Sequence, residues 1–531
     1  MSLEQEFDAV VVGAGFAGLY MLHRLREEGY KVRVIEMASG VGGTWYWNRY
    51  PGARCDIESM QYSYQFSDEL QQEWEWTEKY ATQPEILRYA EHVAERFDLK
   101  RDIQFNTRVT AAVFDETAAR WRIGLDDGNA VSARFCIMAL GCLSTTNLPE
   151  FAGLDDYQGD KYHTGEWPHE GVDFTDRRVG VIGTGSSAIQ SIPLIAEQAA
   201  QLTVFQRTPN YAVPAWNAPL EQEEVCAIKA DYAGLREKAK ARPTGVVFPF
   251  NEFSALSVTE ERRREIYQEY WQRGGLAFMG AFGDLLVDEA ANETAAEFVR
   301  GKIQEKVDDP ATADLLAPKT VFGCKRLCVD TDYFQTYNRD NVALVDVSEY
   351  PIDGFTATGL TVAGKPYDFD AAVFATGFDA MIGSFTRIDI RGRSGVALKD
   401  KWLGGPRTLL GLCSAGFPNM FMITGPGSPS VLASMIQAIE QNVDWIIDCI
   451  CHMRANDLSV IEAEVAEEDA WVEHVGDIAA GSLRSTCSSW YLGGSIPGRP
   501  RVFMPYIGGF PIYAEKCDSV AAAAYEGFRL A

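Results

Sequence analysis

The sequence predicts an α/β protein with two Rossmann-like dinucleotide-binding domains and a helical insertion in the second of them. The first observation is a β-branched run followed by a glycine-rich turn and a helix near residue 13. The second is the return of the same succession near residue 183. The third is the segment 218–320, which is rich in charge and shows no strand pattern. Strands that alternate with helices in this way build parallel sheets.

Composition excludes several classes of partner. The chain has 531 residues, of which 47% are hydrophobic, so it can bury the cores of more than one structural unit. Its formal net charge of -27 opposes binding to nucleic acid or to an anionic membrane surface. We therefore expect no nucleic-acid or membrane partner, and a monomer or weak oligomer whose copies repel one another.

The cysteines and the N-terminus favour the cytoplasm, and the histidines argue against a metal site. The 11 cysteines include no CxxC pair, which favours a reducing compartment, and the 6 histidines are too dispersed for a metal site. Residues 1–8 lack the basic flank and apolar run of a signal peptide. No segment approaches the ~18 apolar residues of a membrane span.

The first glycine motif lies between two predicted strands. Residues 8–12 form the first strand, and Lys31 to Glu36 form the second, after a helix that Gly29 ends. In this motif the glycines permit a tight turn, the approach of backbone to a pyrophosphate, and helix–strand packing. Glu36 would accept hydrogen bonds from a ribose diol, so the site suits FAD or NAD rather than NADP; a purely structural turn is the alternative. The glycines are Gly13, Gly15 and Gly18.

The second glycine motif ends differently. Its following strand, residues 202–206, leads into Arg207 and Thr208, where the first motif has an acid. Because a guanidinium pairs with a 2′-phosphate that a carboxylate would repel, we predict that this site binds NADP. The alternative is that Arg207 is only a surface arginine. The motif supplies Gly183, Thr184, Gly185, Ser186, Ser187 and Gln190 as further candidate contacts.

An aromatic segment, residues 42–56, follows the first motif and lacks a helical period. We expect it to be a binding loop that packs on a flat ring, and an isoalloxazine is the natural partner beside an ADP-binding unit. For the aromatic side chains alone, core packing is the alternative.

Buried strands at 135–141 and 370–377 mark the predicted crossings between domains. Other predicted elements are a helix over 84–98, strands between 102 and 126, and a helix from 432 to about 454. The expected division is an FAD domain (1–143 and 384–531), an NADP domain (144–217 and 321–383) and a helical insertion (218–320).

Two patterns carry a resemblance to a known family. The connector between the glycine motifs contains Tyr157, Gly159, His163, Trp167 and Pro168 at fixed spacing, and residues 42–56 read Gly-Gly-x-Trp-x4-Tyr-Pro-Gly-x3-Asp. Both resemble fingerprints of type I Baeyer–Villiger monooxygenases. The chain departs slightly, with Tyr157 where the family most often has Phe, and Ala-Leu-Gly at 139–141 where Ala-Thr-Gly is expected.

The resemblance implies roles for particular residues. Arg326 and Asp56 would be catalytic, with Asp56 orienting Arg326, whereas Lys325-Arg326 read alone is only a dibasic surface pair. Lys325 would meet the NADP phosphate and Trp490 the nicotinamide ribose, with core packing as the alternative for Trp490. The flavin would be lined by Thr44, Trp45, Asp56 and Tyr62, and further cofactor contacts are expected from Arg54, Val109 and Met435. The five connector residues would couple domain motion to NADP binding and would not transfer protons.

The cofactor pair then predicts the chemistry. Without a CxxC near the first site, disulfide reduction is excluded, so electrons from NADPH pass through the flavin to dioxygen. A C4a-peroxyflavin would attack a ketone carbonyl, and the tetrahedral adduct would rearrange to an ester or lactone, with sulfide oxidation as a side activity. Such a site needs a fixed cation. The alternatives are a flavin monooxygenase that oxygenates sulfur or nitrogen, and a redox-sensing or scaffold protein.

Overall fold

The computed structural model describes residues 5–531, so residues 1–4, which belong to the predicted leaderless N-terminus, lie outside the described part. Its strands, in chain order, are β1 Gln5–Val12, β2 Val32–Ile35, β3 Ile103–Gln104, β4 Val109–Asp115, β5 Arg120–Leu125, β6 Ala130–Met138, β7 Asp160–His163, β8 Arg178–Ile182, β9 Gln201–Gln206, β10 Ala212–Pro214, β11 Cys328–Asp330, β12 Val342–Asp346, β13 Ile352–Thr356, β14 Gly359–Val362, β15 Lys365–Asp368, β16 Ala371–Phe374, β17 Asp389–Arg391, β18 Met420–Met422, β19 Ile461–Ala463 and β20 Phe528–Leu530.

The α-helices are α1 Phe16–Glu27, α2 Thr44–Trp47, α3 Asp68–Glu73, α4 Gln83–Arg96, α5 Ser186–Gln198, α6 Gln222–Ala230, α7 Tyr232–Lys240, α8 Glu260–Arg273, α9 Glu289–Lys306, α10 Pro310–Leu316, α11 Tyr333–Thr336, α12 Gly383–Arg387, α13 Leu398–Lys401, α14 Met435–Ala455, α15 Val465–Ala480 and α16 Phe510–Ala522. None of the helices in residues 5–531 combines the length and the apolar character needed to cross a membrane.

The first sheet has eight strands in the order β17-β4-β5-β6-β1-β2-β3, with β18 beside β6. At its centre β1 runs parallel to both β2 and β6. The β1 side chains Val10 and Val11 are fully buried, as expected for a strand covered on both faces. Since β17 and β18 follow residue 384, the chain leaves this sheet after β6 and returns to it later.

The second sheet has five strands, all parallel, in the order β12-β9-β8-β16-β7. Its edge strand β7 lies inside the segment that was predicted to connect the two glycine motifs. Strand β7 is short, its side chains do not alternate clearly between buried and exposed, and among the described strands it pairs only with β16. The sequence therefore gave little indication of this strand. The connector between the glycine motifs is therefore part of the second sheet.

Residues 218–320 contribute helices α6 to α10 and no strand of either sheet. The predicted α/β fold with a helical insertion is confirmed. Two local details differ: the aromatic segment contains the one-turn helix α2, and the helix predicted from 432 begins at Met435 after a 3-10 turn over Ser430–Leu432.

A disulfide joins Cys324 to Cys487, which are 163 residues apart in the chain. This pair departs from the expectation of a reducing compartment, in which disulfides are rare, because the scattered cysteines have no spacing pattern that could indicate a bridge. The other nine cysteines are free.

Candidate active site

A single large cavity of about 1900 Å³ is lined by residues of both glycine motifs, the aromatic segment and the C-terminal region. Ligand pockets usually measure ~300–1,000 Å³, so this cavity has room for more than one cofactor-sized molecule. The two sheets thus open onto one shared space.

The first glycine motif is shaped by close backbone contacts. Gly13 has φ +106°, and a Cβ there would lie 2.5 Å from the Ala139 carbonyl oxygen. A Cβ at Gly18 would lie 1.8 Å from the Gly13 oxygen, so helix α1 packs on β1 only with glycine at this position. Gly15 forms the N-cap of α1 without a side-chain cap, which leaves the first-turn N–H groups available at the cavity.

The second motif repeats this geometry. Gly183 has φ +108°, and its Cβ would lie 2.5 Å from the Ala375 oxygen. Gly185 is the N-cap of α5, again without a side-chain cap, and a Cβ built on it meets nothing within 4 Å. Both helices therefore begin at a glycine without a side-chain cap, which is the arrangement that binds phosphate. The residues present fit two dinucleotides.

The strand ends next to the two motifs carry opposite charge. Glu36 is buried, and its carboxylate accepts hydrogen bonds from the N–H groups of Ala14 (2.6 Å) and Ala38 (2.7 Å). Burial raises the pKa of Glu36, and these backbone bonds partly oppose the rise. Arg207, at the matching position of the second motif, is exposed and lines the cavity.

Lys325 lies near Arg207 in the cavity wall. Burial, and then repulsion by Arg207, lower the pKa of Lys325. Neither cation makes an ion pair or side-chain hydrogen bond within residues 5–531. Two unpaired cations in the wall that also holds the N-terminus of α5 are an arrangement suited to an anion.

The aromatic segment connects the two sheets. Tyr50 donates a hydrogen bond to the Gln190 side chain on α5 (2.7 Å), and a Cβ at Gly52 would lie 2.3 Å from the Gln190 carbonyl oxygen. At its other end Trp45 donates its indole N–H to the Tyr62 hydroxyl (3.0 Å). The segment is therefore fixed against both nucleotide motifs.

Arg326 and Asp56 meet in the cavity wall as a bidentate pair. Arg326 Nε donates to Asp56 Oδ2 (2.5 Å) and Nη2 donates to Asp56 Oδ1 (2.8 Å), while Nη1 donates to the Val431 carbonyl oxygen (2.7 Å). The side chains are 28% and 19% exposed. Burial disfavours the charge of Arg326, but attraction by Asp56 and its hydrogen bonds outweigh burial and raise the pKa of Arg326.

Most of the predicted site residues line this cavity. They are Gly13, Gly15, Glu36, Thr44, Trp45, Arg54, Asp56, Tyr62, Val109, Trp167, Gly183, Thr184, Gly185, Ser186, Ser187, Gln190, Arg207, Thr208, Lys325, Arg326, Met435 and Trp490. Predicted residues outside the lining are Gly18, Tyr157, Gly159, His163 and Pro168.

His163 lies behind the cavity in a defined hydrogen-bonding arrangement. Its Nδ1 accepts from the Gly165 N–H (3.0 Å), and its Nε2 lies 3.3 Å from the Thr376 hydroxyl, which donates to the Asn147 carbonyl oxygen. Burial lowers the pKa of His163. An acceptor Nδ1 and a lowered pKa both favour the neutral ring, with its proton on Nε2.

Several further lining residues lie in irregular loops or at a helix end, where the sequence gave no signal. Leu143 and Asn147 follow β6, Arg387 ends α12, and Ser488 and Ser489 precede Trp490. Each is a single residue without a motif or a period, so nothing in the sequence singled it out.

Comparison with known proteins gives a consistent family. The sequence profile described as "Pyridine nucleotide-disulphide oxidoreductase" matches residues 10–235. A Baeyer-Villiger monooxygenase of Pseudooceanicola batsensis is 42% identical, over 98% of this chain and 95% of the relative. Phenazine N-monooxygenase PhzNO1 of Lysobacter antibioticus is also 42% identical, over 99% and 97%.

Among solved structures, an oxidized steroid monooxygenase bound to NADP superposes with a TM-score of 0.95 at 54% identity, covering 99% of each chain. Identity at this level over the full length, together with the cavity geometry, decides the assignment. The chain belongs to the Baeyer–Villiger monooxygenases, FAD-containing, NADPH-dependent flavoenzymes that convert ketones to esters or lactones.

Proposed function

We propose that Arg326 is the cation of the oxygenation centre and that Asp56 positions it. The observation that carries this proposal is their bidentate pair in the wall of a cavity that both nucleotide motifs share. When oxygen is inserted next to a ketone carbonyl, negative charge develops on the former carbonyl oxygen. A preorganised cation stabilises that charge without reorganising at the moment of reaction.

The guanidinium has donors to spare for this task. Arginine carries five N–H groups, and Arg326 uses three of them on Asp56 and Val431. Two N–H groups remain for a substrate oxygen. Since Asp56 holds the charge of Arg326, the cation persists across the working pH range.

We assign FAD to the first motif. The uncapped first turn of α1 would hold the pyrophosphate, Glu36 the ribose, and the aromatic segment with Tyr62 the ring system. When bound and reduced, the flavin supplies the activated oxygen. Further contacts to FAD are assigned to Thr44, Trp45, Arg54, Asp56, Val109 and Met435.

We assign NADP to the second motif. The first turn of α5 would hold the pyrophosphate, and the unpaired cations Arg207 and Lys325 would hold the 2′-phosphate. Ser186, Ser187, Gln190 and Thr208 line the same part of the cavity, and Trp490 would meet the nicotinamide ribose.

We assign the connector residues to coupling between the two halves. Thr164 and Ser187 are hydrogen-bonded (3.0 Å), and the Trp167 N–H donates to the Trp47 carbonyl oxygen (3.4 Å). The connector thus touches α5 on one side and the aromatic segment on the other. His163, whose neutral ring is half-buried and does not line the cavity, supports this segment and transfers no proton. We propose that the chain is divided into an FAD domain (1–143 and 384–531), an NADP domain (144–217 and 321–383) and a helical insertion (218–320).

Oxygenation of nitrogen is the second candidate activity, because a relative at 42% identity is named a phenazine N-monooxygenase. The fixed cation Arg326 favours attack on a carbonyl, where charge develops on oxygen. We propose sulfide oxidation as a side activity of the same centre.

The test incubates the FAD-loaded enzyme with NADPH, labelled dioxygen and a panel of cyclic, aryl and steroid ketones, with a phenazine and a sulfide as comparison substrates. Mass analysis of an ester or lactone carrying one labelled oxygen supports the proposal. Labelled N-oxide with every ketone unchanged would overturn it in favour of the second candidate.

We place the enzyme in the cytoplasm. We also propose a monomer or weak oligomer, because its charge of -27 makes copies repel one another. Sedimentation at low and high salt tests the assembly state. A salt-independent stable dimer would contradict the proposal.

A further inference from the structure

The disulfide joins two segments that each lead directly into the cavity wall. Cys324 immediately precedes Lys325 and Arg326, and Cys487 immediately precedes the segment Ser488–Trp490. The two Cα atoms are 6.2 Å apart, within the range that disulfides span. One covalent bond therefore links the segment that carries Lys325 and Arg326 to the segment that carries Trp490.

Non-covalent contacts also hold the residues that precede Cys487. Arg484 donates Nε to the Gly323 carbonyl oxygen (3.0 Å), and the Leu483 N–H donates to the Leu286 oxygen (2.8 Å). These contacts dock residues 482–487 against the insertion and the segment that precedes Lys325. Without the disulfide they would still hold residues 483–484, but nothing covalent would hold Cys487.

Beyond Cys487 the chain is held again within a few residues, because Arg501 donates to the Ser488 hydroxyl (3.2 Å) and the Met504 N–H donates to the Tyr491 carbonyl oxygen (2.9 Å). Arg499 forms a bidentate ion pair with Asp379, and the Asn147 side chain donates to the Ser495 carbonyl oxygen (3.3 Å). Tyr491 and Leu492 are also buried in the core, so the cavity-lining residues between the disulfide and the first buried anchor are Ser488–Trp490.

We propose that Cys324–Cys487 is a redox-controlled tether that holds the Trp490 segment against the Lys325–Arg326 segment, and so controls how firmly NADP is retained. The inference rests on the proposed NADP site. When the bond is reduced, the short stretch Ser488–Trp490 loses its covalent hold at the Cys487 end. NADP is then held less firmly, and more NADPH oxidation ends in hydrogen peroxide instead of product.

The redox step balances as an ordinary thiol–disulfide exchange. The thiolate of a dithiol attacks the sulfur of Cys487, which is half-buried while Cys324 is buried, and the Cys324–Cys487 bond breaks to give a mixed disulfide. The second thiol of the reductant closes its own disulfide, so two electrons and two protons end on the two cysteines. Hydrogen peroxide reverses the change: one thiol becomes a sulfenic acid with loss of water, and the other displaces a second water to restore the bond.

The test uses the FAD-loaded enzyme before and after treatment with dithiothreitol, which is then removed. Peptide mapping under non-reducing conditions should find a linked peptide containing Cys324 and Cys487, which treatment removes. Titration of the flavin absorbance with NADP+ should show a Kd raised about fivefold after reduction, the low end of coupling between protein sites. The share of NADPH that yields hydrogen peroxide should rise in parallel.

Two variants separate the tether from a general effect of reductant. Cys487→Ser should resemble the reduced enzyme and lose its response to dithiothreitol. Cys226→Ser removes a free, exposed cysteine and should behave as wild type before and after treatment. If Cys487→Ser folds poorly, the wild-type titration before and after reduction still decides the question.

Absence of the linked peptide, or an unchanged Kd for NADP+ after its loss, would overturn the tether. Peptide mapping and NADP+ titration do not depend on ketone conversion. A redox-dependent Kd in an enzyme that makes no ester would therefore sustain the tether while contradicting the proposed oxygenation.

Discussion

Lys325 and Arg326 are adjacent in the chain, yet they occupy opposite electrostatic situations. Arg326 is held by Asp56 through two hydrogen bonds, and its pKa is raised. Lys325 has no carboxylate partner in the described part of the chain, and burial and Arg207 lower its pKa. One cation is already paired, whereas its neighbour has no carboxylate beside it and is free for the phosphate that we propose it binds.

The difference teaches how one cavity serves two tasks. A cation that must stay oriented through a reaction benefits from a permanent carboxylate, which fixes its position and leaves other donors free. A cation that must bind a phosphate gains most when no protein carboxylate competes with the ligand. Substitutions at the two positions should therefore fail in different ways.

The largest expected effect comes from Arg326→Ala. Removing the preorganised cation should lower ester formation by at least about 100-fold, while NADPH is still consumed and hydrogen peroxide appears. Product analysis by mass and a peroxide assay measure both. Arg326→Lys should recover only part of the activity, because lysine cannot make the bidentate pair. Ester formation by Arg326→Ala near the wild-type rate would contradict the assignment.

Asp56→Asn should have the next largest effect. The amide keeps the shape but removes the charge that orients Arg326, and misplacement of a catalytic group costs about 10- to 100-fold in rate. Leaving a partly buried guanidinium without its carboxylate should also lower stability by about 1–3 kcal/mol, measured by denaturant unfolding. In the Arg326→Ala background, Asp56→Asn should add little further loss of activity, since the two act as one unit. Additive losses would refute their coupling.

Lys325→Ala and Arg207→Ala should alter the choice of cofactor. Each loses a charge-assisted contact to the 2′-phosphate, so KM for NADPH should rise about tenfold while kinetics with NADH barely change. Steady-state kinetics with both cofactors provide the comparison. Arg178→Ala, which removes an exposed arginine paired with Asp370 on the same sheet, is the matched control. An equal loss with NADPH and NADH would argue against a phosphate site.

The smallest expected effect concerns Glu440, a carboxylate that contrasts with Asp56 because no cation is paired with it in the described residues. It is buried, accepts hydrogen bonds from the N–H groups of Gln65 and Phe66, and has no salt bridge in residues 5–531. Burial raises the pKa of Glu440 to about 7 from 4.5. Because the folded state holds this proton more tightly, its contribution is full below pH 4.5 and is lost as pH rises through about 7.

The neutral variant Glu440→Gln should therefore be more stable than wild type above pH 7, by about 1–2 kcal/mol, and nearly equal to it at low pH. Unfolding midpoints across this pH range measure the difference. A stability gap that does not change with pH would show that Glu440 does not titrate as described.

Prediction from the sequence was most successful for sites whose residues are neighbours in the chain. Gly13 and Gly183 are each placed by a strand before and a helix after, and Glu36 and Arg207 by the strand that follows. The same locality made the α/β fold and the helical insertion predictable. Asp56 and Arg326 are 270 residues apart, and only the family resemblance brought them together.

What the sequence did not indicate depends on distant contacts or on isolated residues. Cys324 and Cys487 have no spacing pattern, and strand β7 owes its existence to pairing with β16. Asp379 and Arg499 form their ion pair across 120 residues. Such contacts are set by tertiary packing, which a local pattern does not record.

The most direct test places Arg326→Ala and Lys325→Ala side by side at saturating NADPH and measures ester formed for each NADPH consumed. If the two residues have different roles, Lys325→Ala should keep most of the wild-type ester yield at saturating NADPH. In Arg326→Ala the bound flavin should still be reduced by NADPH, but almost no ester should form. Equal yields from the two variants would contradict the division of tasks between these neighbouring cations.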